Sequence, residues 1–512
     1  MIEPDGKLIP AGGSRTASVR TGVLKGVFWT VGARWALRAL GFISTIVLAR
    51  LLMPEDFGLM AMATVVIGLL DVLFSQGVDT ALIQNTSTTR AHWDTAWTVR
   101  VLQGAVMALL LVAAAPFAAE FYGEPRIRLI MPVLAVGTLA AAAENIGPVA
   151  FRKELQFHRD FQFTVAKKVI QFIIVISLGL LWRDYWALMI GVVLGSVASS
   201  GLSYGLHPFR PKWSLAKAPE IWGFSFRLAA INFASYLNSN AEKLVLGGLV
   251  GAEKTGIYFV GDEIAEIPYS ELVAPTSRVT VPGFAKIKHD PERLRLALLK
   301  ILGLVSLFSI PAAAGLALVS HHLVAVLLGP RWIDTIGVIR LCAISAGFVA
   351  IYSIFGNLLT ILGHLRTIMC VAYLNAFLFI IFLFPMIRYY GILGAAALKA
   401  MLSLMVFCFY GFLVNRIVRV GIIEMLSVLW RPLVATALMI VPCVSVADLF
   451  SLPAAALMCQ IAVGATCYGV ALFGIWVAMG CPDGGERDLL DMVGERATGL
   501  HRGLAMLVKF RN

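Results

Sequence analysis

Charge is scarce in this chain. Only 14% of its 512 residues are Asp, Glu, Lys or Arg, where a soluble domain carries about a quarter. With 59% hydrophobic residues and a mean hydropathy of +0.84, that scarcity excludes a soluble globular protein and leaves a polytopic membrane protein. Cysteine is missing until Cys342, and the seven cysteines form no CxxC or metal-ligand spacing; they read as small hydrophobes. The eight histidines are scattered, and the pair His321 and His322 has no nearby third ligand, so no metal site is expected. No Walker A motif is present, so ATP is not the direct driver. No Ser–His–Asp set or paired-carboxylate loop points to an enzyme, and no cofactor is expected. Nucleic acid is not an expected partner either. The net charge of +12 fits a membrane protein that concentrates Lys and Arg in its cytoplasmic loops.

What fills the chain is apolar sequence. A membrane-spanning helix needs about 20 mainly apolar residues, and about fourteen such stretches can be laid down. They cover 26–50, 57–84, 94–119, 127–151, 161–182, 185–206, 221–250, 255–281, 296–319, 335–362, 366–387, 391–415, 428–447 and 455–479. The fold class is therefore an all-α polytopic membrane protein: two six-helix lobes around a central cavity, plus two peripheral C-terminal helices. The domain frame is a cytoplasmic tail at 1–25, an N-terminal lobe at 26–206 and a linker at 207–220. A C-terminal lobe follows at 221–415, then two further helices at 416–480 and a tail at 481–512. With the N-terminus inside, the cytoplasmic segments hold roughly three times the positive charge of the outer turns, which places both termini in the cytoplasm. No secretory signal precedes the first span; the start is polar, with Lys7, Arg15, Arg20 and Lys25. In the last tail Leu489, Val493, Ala497, Leu500, Leu504 and Leu507 share helical spacing, as an amphipathic helix on the inner leaflet would.

Two stretches about 198 residues apart read alike: LARLLMPEDFGLMAMA from Leu48 and LGGLVGAEKTGIYFVG from Leu246. Leu48 falls on Leu246, Glu55 on Glu253 and Gly58 on Gly256. Such internal repeats in transporters frame a substrate pathway between related halves.

Charges in hydrocarbon cost several kcal/mol, so they face cavities or mark pathways. The first helix carries Thr30, Arg34, Arg38, Gly41 and Thr45 on one face. The seventh carries Asn232, Ser235, Ser239 and Glu242 on one stripe, with Asn238, Asn240 and Lys243 beside it. The second has Asp71 and Asp79. The eighth has Asp262, Glu263, Glu266, Glu271 and Arg278, with Pro268 and Pro275 predicting a bend. These are the first two helices of each half, and they are expected to line a water-filled cavity. Arg34, Arg38, Arg227 and Lys243 together suit an anionic substrate, because Arg and Lys bind phosphate by charge-assisted hydrogen bonds. Structural readings stand beside these: Asp262 can pair with Lys243 to hold the bundle, and Lys167 and Lys168 can meet lipid phosphates near a cytoplasmic end. Asp71, Asp79 and Glu266 are candidates for proton coupling.

The segment GVFWTVGARWALRALGFISTIVLARLLMPEDFGLMAMATVVIGLLDVLFSQGVDTALIQ, with FRKELQFHRDF, VPGFAKIKHDPERLRLALLKILGLVSLFSIPAAAGLALV and LLGPRW further on, resembles bacterial polysaccharide transporters of the Wzx/WzxC type. These are oligosaccharide flippases of the multidrug/oligosaccharidyl-lipid/polysaccharide (MOP) exporter superfamily. The resemblance spans roughly residues 20–480 and implies a bacterial inner-membrane location. It also implies export of undecaprenyl-diphosphate-linked repeat units by alternating access, for exopolysaccharide, capsule or O-antigen (lipopolysaccharide) synthesis. A polysaccharide polymerase and chain-length or export proteins become candidate partners, alongside membrane lipids. On that reading Arg34 and Arg38 meet the diphosphate with Lys243 assisting, and Asn232, Asn238, Ser239 and Asn240 meet sugar hydroxyls. These assignments come from polarity, since the family has no catalytic motif to carry over.

Two other classes remain. A multidrug exporter of the same superfamily favours cationic compounds, which the acidic eighth helix would suit and the arginines of the first would not. An integral membrane polymerase or acyltransferase would show a long outer loop or a His–Asp pair facing the cavity, and neither is evident in the sequence.

Overall fold

The computed structural model describes residues 14–74, 77–85, 87–447 and 449–480, and their side chains except those of 14–28, 74, 221–235, 237–239, 241, 272–275, 278 and 279. Among the described residues all regular structure is helical. The helices run α1 (Ser14–Leu51), α2 (Pro54–Phe74), α3 (Val78–Gln84), α4 (Arg90–Tyr122), α5 (Ile127–Ala142), α6 (Val149–Lys153), α7 (Phe157–Trp182) and α8 (Tyr185–Leu206). They continue with α9 (Ala218–Ala265), α10 (Ala274–Ile287), α11 (Pro291–Leu323), α12 (Thr335–Ile361), α13 (Leu365–Val418), α14 (Ile422–Ser445) and α15 (Pro453–Ala478). The amphipathic helix expected in the last tail lies outside the described residues.

Among the described residues eleven segments are long and apolar enough to cross a membrane, and Ile127–Ala142 is a shorter apolar helix. Two of the longest helices are not single rods. A straight helix of the 54 residues of α13 would be about 81 Å long, against a hydrocarbon core of about 30 Å. Gly391, at φ 58° and ψ −145°, breaks α13, and Gly251, at φ 78° and ψ 175°, breaks α9. The expected spans 221–250 and 255–281 lie on either side of Gly251, and 366–387 and 391–415 meet at Gly391. Gly251 also falls, in the repeat frame, on Met53, where the chain leaves α1 for α2. Both repeat copies therefore break at the same position. The first does so with a cap, in which the Met53 N–H donates to Asp56 Oδ2 at 2.8 Å. The second does so with a glycine.

Three expected spans are modified. The second is described as two helices, α2 and α3, the latter preceded by Gly77, whose φ is 102°. The fourth ends at Ala142, and the chain turns before α6. The eighth is bent: Pro268 and Pro275 flank a π-helical turn at Tyr269–Val273, followed by α10. Proline cannot donate an N–H to the ladder, so the helix widens to keep its other bonds.

The chain forms two compact units, Met1–Asn240 and Ala241–Asn512. In the first, small residues let helix backbones close up, as membrane helices require where no hydrophobic effect drives them together. Gly104 of α4 sits against Ala142 at the end of α5, where an added Cβ would lie 2.2 Å from the alanine Cβ. Gly137 of α5 meets Val193 of α8, and Gly191 of α8 meets Val175 of α7. Residues 207–217 run along α4 instead of hanging free. Lys212 N donates to Asp94 Oδ1 at 2.9 Å, Ser214 N to Thr98 Oγ1 at 3.0 Å, and Asn145 Nδ2 to Phe209 O at 2.8 Å. Those bonds satisfy an irregular backbone that would otherwise leave its donors unpaired.

In the second unit, a core of Leu298, Leu302, Ile354, Phe355, Leu358 and Val414 joins α11, α12 and α13. A second core of Leu246, Tyr258, Val338, Cys342, Leu383 and Ala395 joins α9, α12 and both limbs of α13. α14 and α15 pack on each other and on α11.

Candidate functional site

The second unit buries an ionic cluster among apolar helices. Lys399, on the second limb of α13, places its ammonium 2.6 Å from Asp262 Oδ1 and 2.8 Å from Glu242 Oε1. Lys243 lies 3.1 Å from Asp262 Oδ2. Glu266 completes the set 3.7 Å from Lys399. The Asp262 side chain is fully buried, Glu242 and the two lysines nearly so, while Glu266 is 51% exposed. Local helix geometry explains the grouping. Glu242 and Lys243 sit two turns before the Gly251 break, and Asp262 and Glu266 sit one turn apart after it, so the break folds two polar stripes of α9 onto one another. Phe259 covers the Lys243 ammonium at 5.4 Å, a cation–π contact that partly replaces lost hydration.

Lys399 escapes a search confined to the wettest helices, because it is one lysine in an otherwise apolar run, GAAALKAMLSLM. Its isolation was the available signal: a lone lysine far from a helix end must find buried carboxylates. The cluster joins the sequence candidates Lys243 and Glu266, and Lys243 is here the ion-pair partner of Asp262.

In the first unit Arg34 and Arg38 are half-buried on α1, five and nine residues into the span Trp29–Leu51. α1 packs along α7, with Trp29 against Phe161 at 5.0 Å between ring centroids. Asp71 is half-buried on α2. Asp79 is held elsewhere: it lies on the short α3 and accepts from Arg152 Nη2 at 2.9 Å, next to the loop around α6. That contact reads as a tether at the end of the bundle. Asn240 donates from its amide to Tyr236 O at 3.2 Å, one turn back on its own helix, and the Tyr236 hydroxyl donates to Val65 O at 2.9 Å. The side chains of Arg227, Asn232, Asn238 and Ser239 lie outside those described. His322 bonds through Nδ1 to Gln460 Oε1 at 2.8 Å, and no cluster of metal-ligating side chains occurs among the described residues.

At one end of the first unit, Arg126 donates to both Glu124 oxygens at 2.7 Å and to Glu55 of the repeat block, and its guanidinium lies over Tyr185 at 5.8 Å. These hydrogen bonds hold the Glu124 carboxyl below its ordinary range against the opposing effect of partial burial.

Comparison with known proteins places this arrangement. The chain is 26% identical over 350 residues to the lipopolysaccharide biosynthesis protein WzxC of Escherichia coli K12, covering 67% of this chain and 70% of that one. It is 24% identical over 412 residues to the teichuronic acid biosynthesis protein TuaB of Bacillus subtilis, covering 78% and 84%. It is also 24% identical over 345 residues to the succinoglycan biosynthesis transport protein ExoT of Rhizobium meliloti, covering 66% and 69%. Its fold is similar to that of the lipid II flippase MurJ in an inward closed conformation, with a TM-score of 0.70 at 15% identity over 88% of this chain and 99% of that one. An inward-facing multidrug-resistance transporter of the MATE family, within the MOP superfamily, matches at a TM-score of 0.56 and 13% identity, over 74% and 95%. Residues 47–337, more than half of the chain, match the family described as "Polysaccharide biosynthesis protein", and the chain belongs to that family.

Proposed function

We propose that this protein is a flippase that moves polyprenyl-diphosphate-linked oligosaccharide repeat units across the bacterial inner membrane by alternating access, serving exopolysaccharide, capsule or O-antigen synthesis. The observation that carries the reading is the family match over residues 47–337, together with cationic side chains on an intramembrane helix. Arg34 and Arg38 suit a diphosphate because a guanidinium makes paired charge-assisted hydrogen bonds to phosphate oxygens. Asn232, Asn238, Ser239 and Asn240 are the proposed sugar contacts, with Arg227 and Lys243 assisting. Lys243 is the secondary member, since Asp262 already balances its charge. Of the coupling candidates, Glu266 fits best. Glu266 is half-exposed beside Lys399, where gain of a proton would loosen a contact in the cluster, whereas Asp79 is tethered to Arg152. The charge bias of the loops supports a cytoplasmic location for both termini.

The test is a deletion strain scored for surface polysaccharide and for lipid-linked repeat units, complemented by the wild type and by Arg34→Ala with Arg38→Ala. Loss of polymer, accumulation of repeat units on the cytoplasmic leaflet and no rescue by the double variant are expected. Normal polysaccharide with an altered drug-resistance profile would overturn the reading in favour of a multidrug exporter. Full rescue by the double variant would keep the function and remove the two arginines from the site.

A further inference from the structure

A polar cavity of about 260 Å³ opens inside the first unit, lined by Leu37 of α1, Glu144 just beyond α5, Thr164, Lys167, Lys168 and Gln171 of α7, and Gly195, Ser196 and Ser199 of α8. Thr164, Lys168 and Gln171 recur at i, i+4 and i+7, so they form one stripe of α7. Ser196 and Ser199 form the matching stripe of α8. Gly195 lets the two helices approach; a Cβ there would lie 2.9 Å from Gln171 Cγ.

Lys167 is engaged with Glu144. Among the described residues the other polar groups are not engaged: Thr164, Lys168, Gln171, Ser196 and Ser199 make no hydrogen bond or ion pair. Ser199 is only 7% exposed. A serine or threonine in an apolar helix ordinarily satisfies its hydroxyl on the carbonyl one turn back, as Thr98 and Thr45 do here. Three hydroxyls, an amide and an ammonium that converge on one space without partners constitute a site built for a polar ligand.

Depth and charge narrow the ligand. Lys168 lies about 16 Å along the axis from Phe157, by the 1.5 Å rise per residue, in a helix of 26 residues. That is about three turns into the helix, and an ammonium facing a space between apolar helices is costly without a counter-ion. The Lys167–Glu144 pair is neutral, so the cavity carries one net positive charge from Lys168. Every one of the remaining polar groups can donate a hydrogen bond. The volume is smaller than the roughly 300–1,000 Å³ of pockets for drug-sized ligands, too small for an oligosaccharide and suitable for a headgroup. Leu37 comes from the same turn of α1 as Arg34 and Arg38.

We propose that this cavity is a phosphoryl-binding subsite for a lipid: Lys168 supplies the charge, and Thr164, Gln171, Ser196 and Ser199 donate to the phosphoryl oxygens. Binding of a phosphoryl lipid stands on this geometry alone; identifying that lipid as the polyprenyl diphosphate carrier rests on the function proposed above.

The experiment uses the full-length protein in a maltoside detergent, which carries no phosphoryl group. Affinities are measured separately for undecaprenyl diphosphate, for phosphatidylglycerol and for undecaprenol, which has the same tail and no phosphate. Lys168→Gln is expected to weaken a phosphoryl lipid about tenfold or more, the scale of one lost charge-assisted hydrogen bond, with undecaprenol unaffected. Lys168→Arg should retain binding, and Ser196→Leu, which fills the cavity, should reproduce the loss in a protein that stays monodisperse. Loss confined to undecaprenyl diphosphate identifies the carrier. Loss confined to phosphatidylglycerol keeps the phosphoryl site and detaches it from the transported lipid. Unchanged affinity for both phosphoryl lipids, or an equal loss for undecaprenol, overturns the proposal.

Discussion

The Lys399 ammonium sits 2.6 Å from Asp262 Oδ1, joining two residues 137 positions apart in sequence, the aspartate fully buried and the lysine largely so. Removing Lys399 leaves the carboxylates of Asp262 and Glu242 with Lys243 alone, an uncompensated buried charge that costs about 3–5 kcal/mol. Lys399→Met is therefore expected to lower the thermal unfolding midpoint of the purified protein substantially. The double variant Lys399→Met with Asp262→Asn should recover part of the loss. A double-mutant cycle with no coupling between the two positions would show that the pair does not act as a unit.

Gly251 combines φ 78° with ψ 175°, a region essentially confined to glycine. No heavy atom lies within 4 Å of a Cβ built there, so the cost of a side chain is purely backbone strain. Gly251→Ala should destabilise by about 1–3 kcal/mol. Gly315→Ala, at a helical position of α11 with equally open space, should be neutral or stabilising by up to about 1 kcal/mol. Equal midpoints for the two variants in thermal unfolding would contradict this account of the break.

Residues 207–217 depend on Asp94, whose carboxylate accepts from Lys212 N at 2.9 Å and whose side chain also lies 3.6 Å from the Arg90 guanidinium. Asp94→Ala should release the strand from α4. Limited trypsin digestion would then cut after Lys212 and Lys217 several-fold faster than in the wild type. Unchanged digestion would mean that the Ser214–Thr98 and Phe209–Asn145 bonds suffice to hold the segment.

Glu124 predicts a pH dependence outside the spanning helices. Its carboxyl is lowered by the hydrogen bonds from Arg126. A carboxyl depressed in the folded state contributes stability above its unfolded pKa of about 4.3, and that contribution is lost as pH falls through the lower folded value. The wild type should therefore exceed Glu124→Gln in unfolding midpoint at pH 7, and the gap should narrow on acidification below about pH 4. A gap that widened on acidification would reverse the assigned sign.

Much of the fold was legible because membrane helices announce themselves by length and composition. The break at Gly251 was visible as the second copy of the 48–63 block, and the bend of the eighth span was visible in Pro268 and Pro275. The left-handed Gly77 ahead of α3 was not, since a short polar interruption reads as a tolerated dip in a long apolar run. The pairing of Asp262 with Lys243 could be anticipated because they are intramembrane charges of opposite sign on consecutive spans.

Lys399 could not be placed from sequence. Its partners lie on another helix more than 130 residues away, and hydropathy carries no information about which helices touch. The same holds for the α7–α8 cavity. Sequence shows two polar stripes, but whether their hydroxyls bond back to their own helices or turn toward each other depends on the close approach at Gly195. The sequence alone determined a membrane-embedded all-helical chain with a repeated helix–turn–helix block, because the bilayer permits few backbone solutions. Tertiary structure decided which buried charges neutralise one another and which polar groups are left to receive a ligand, because those outcomes depend on contacts between helices distant in the chain.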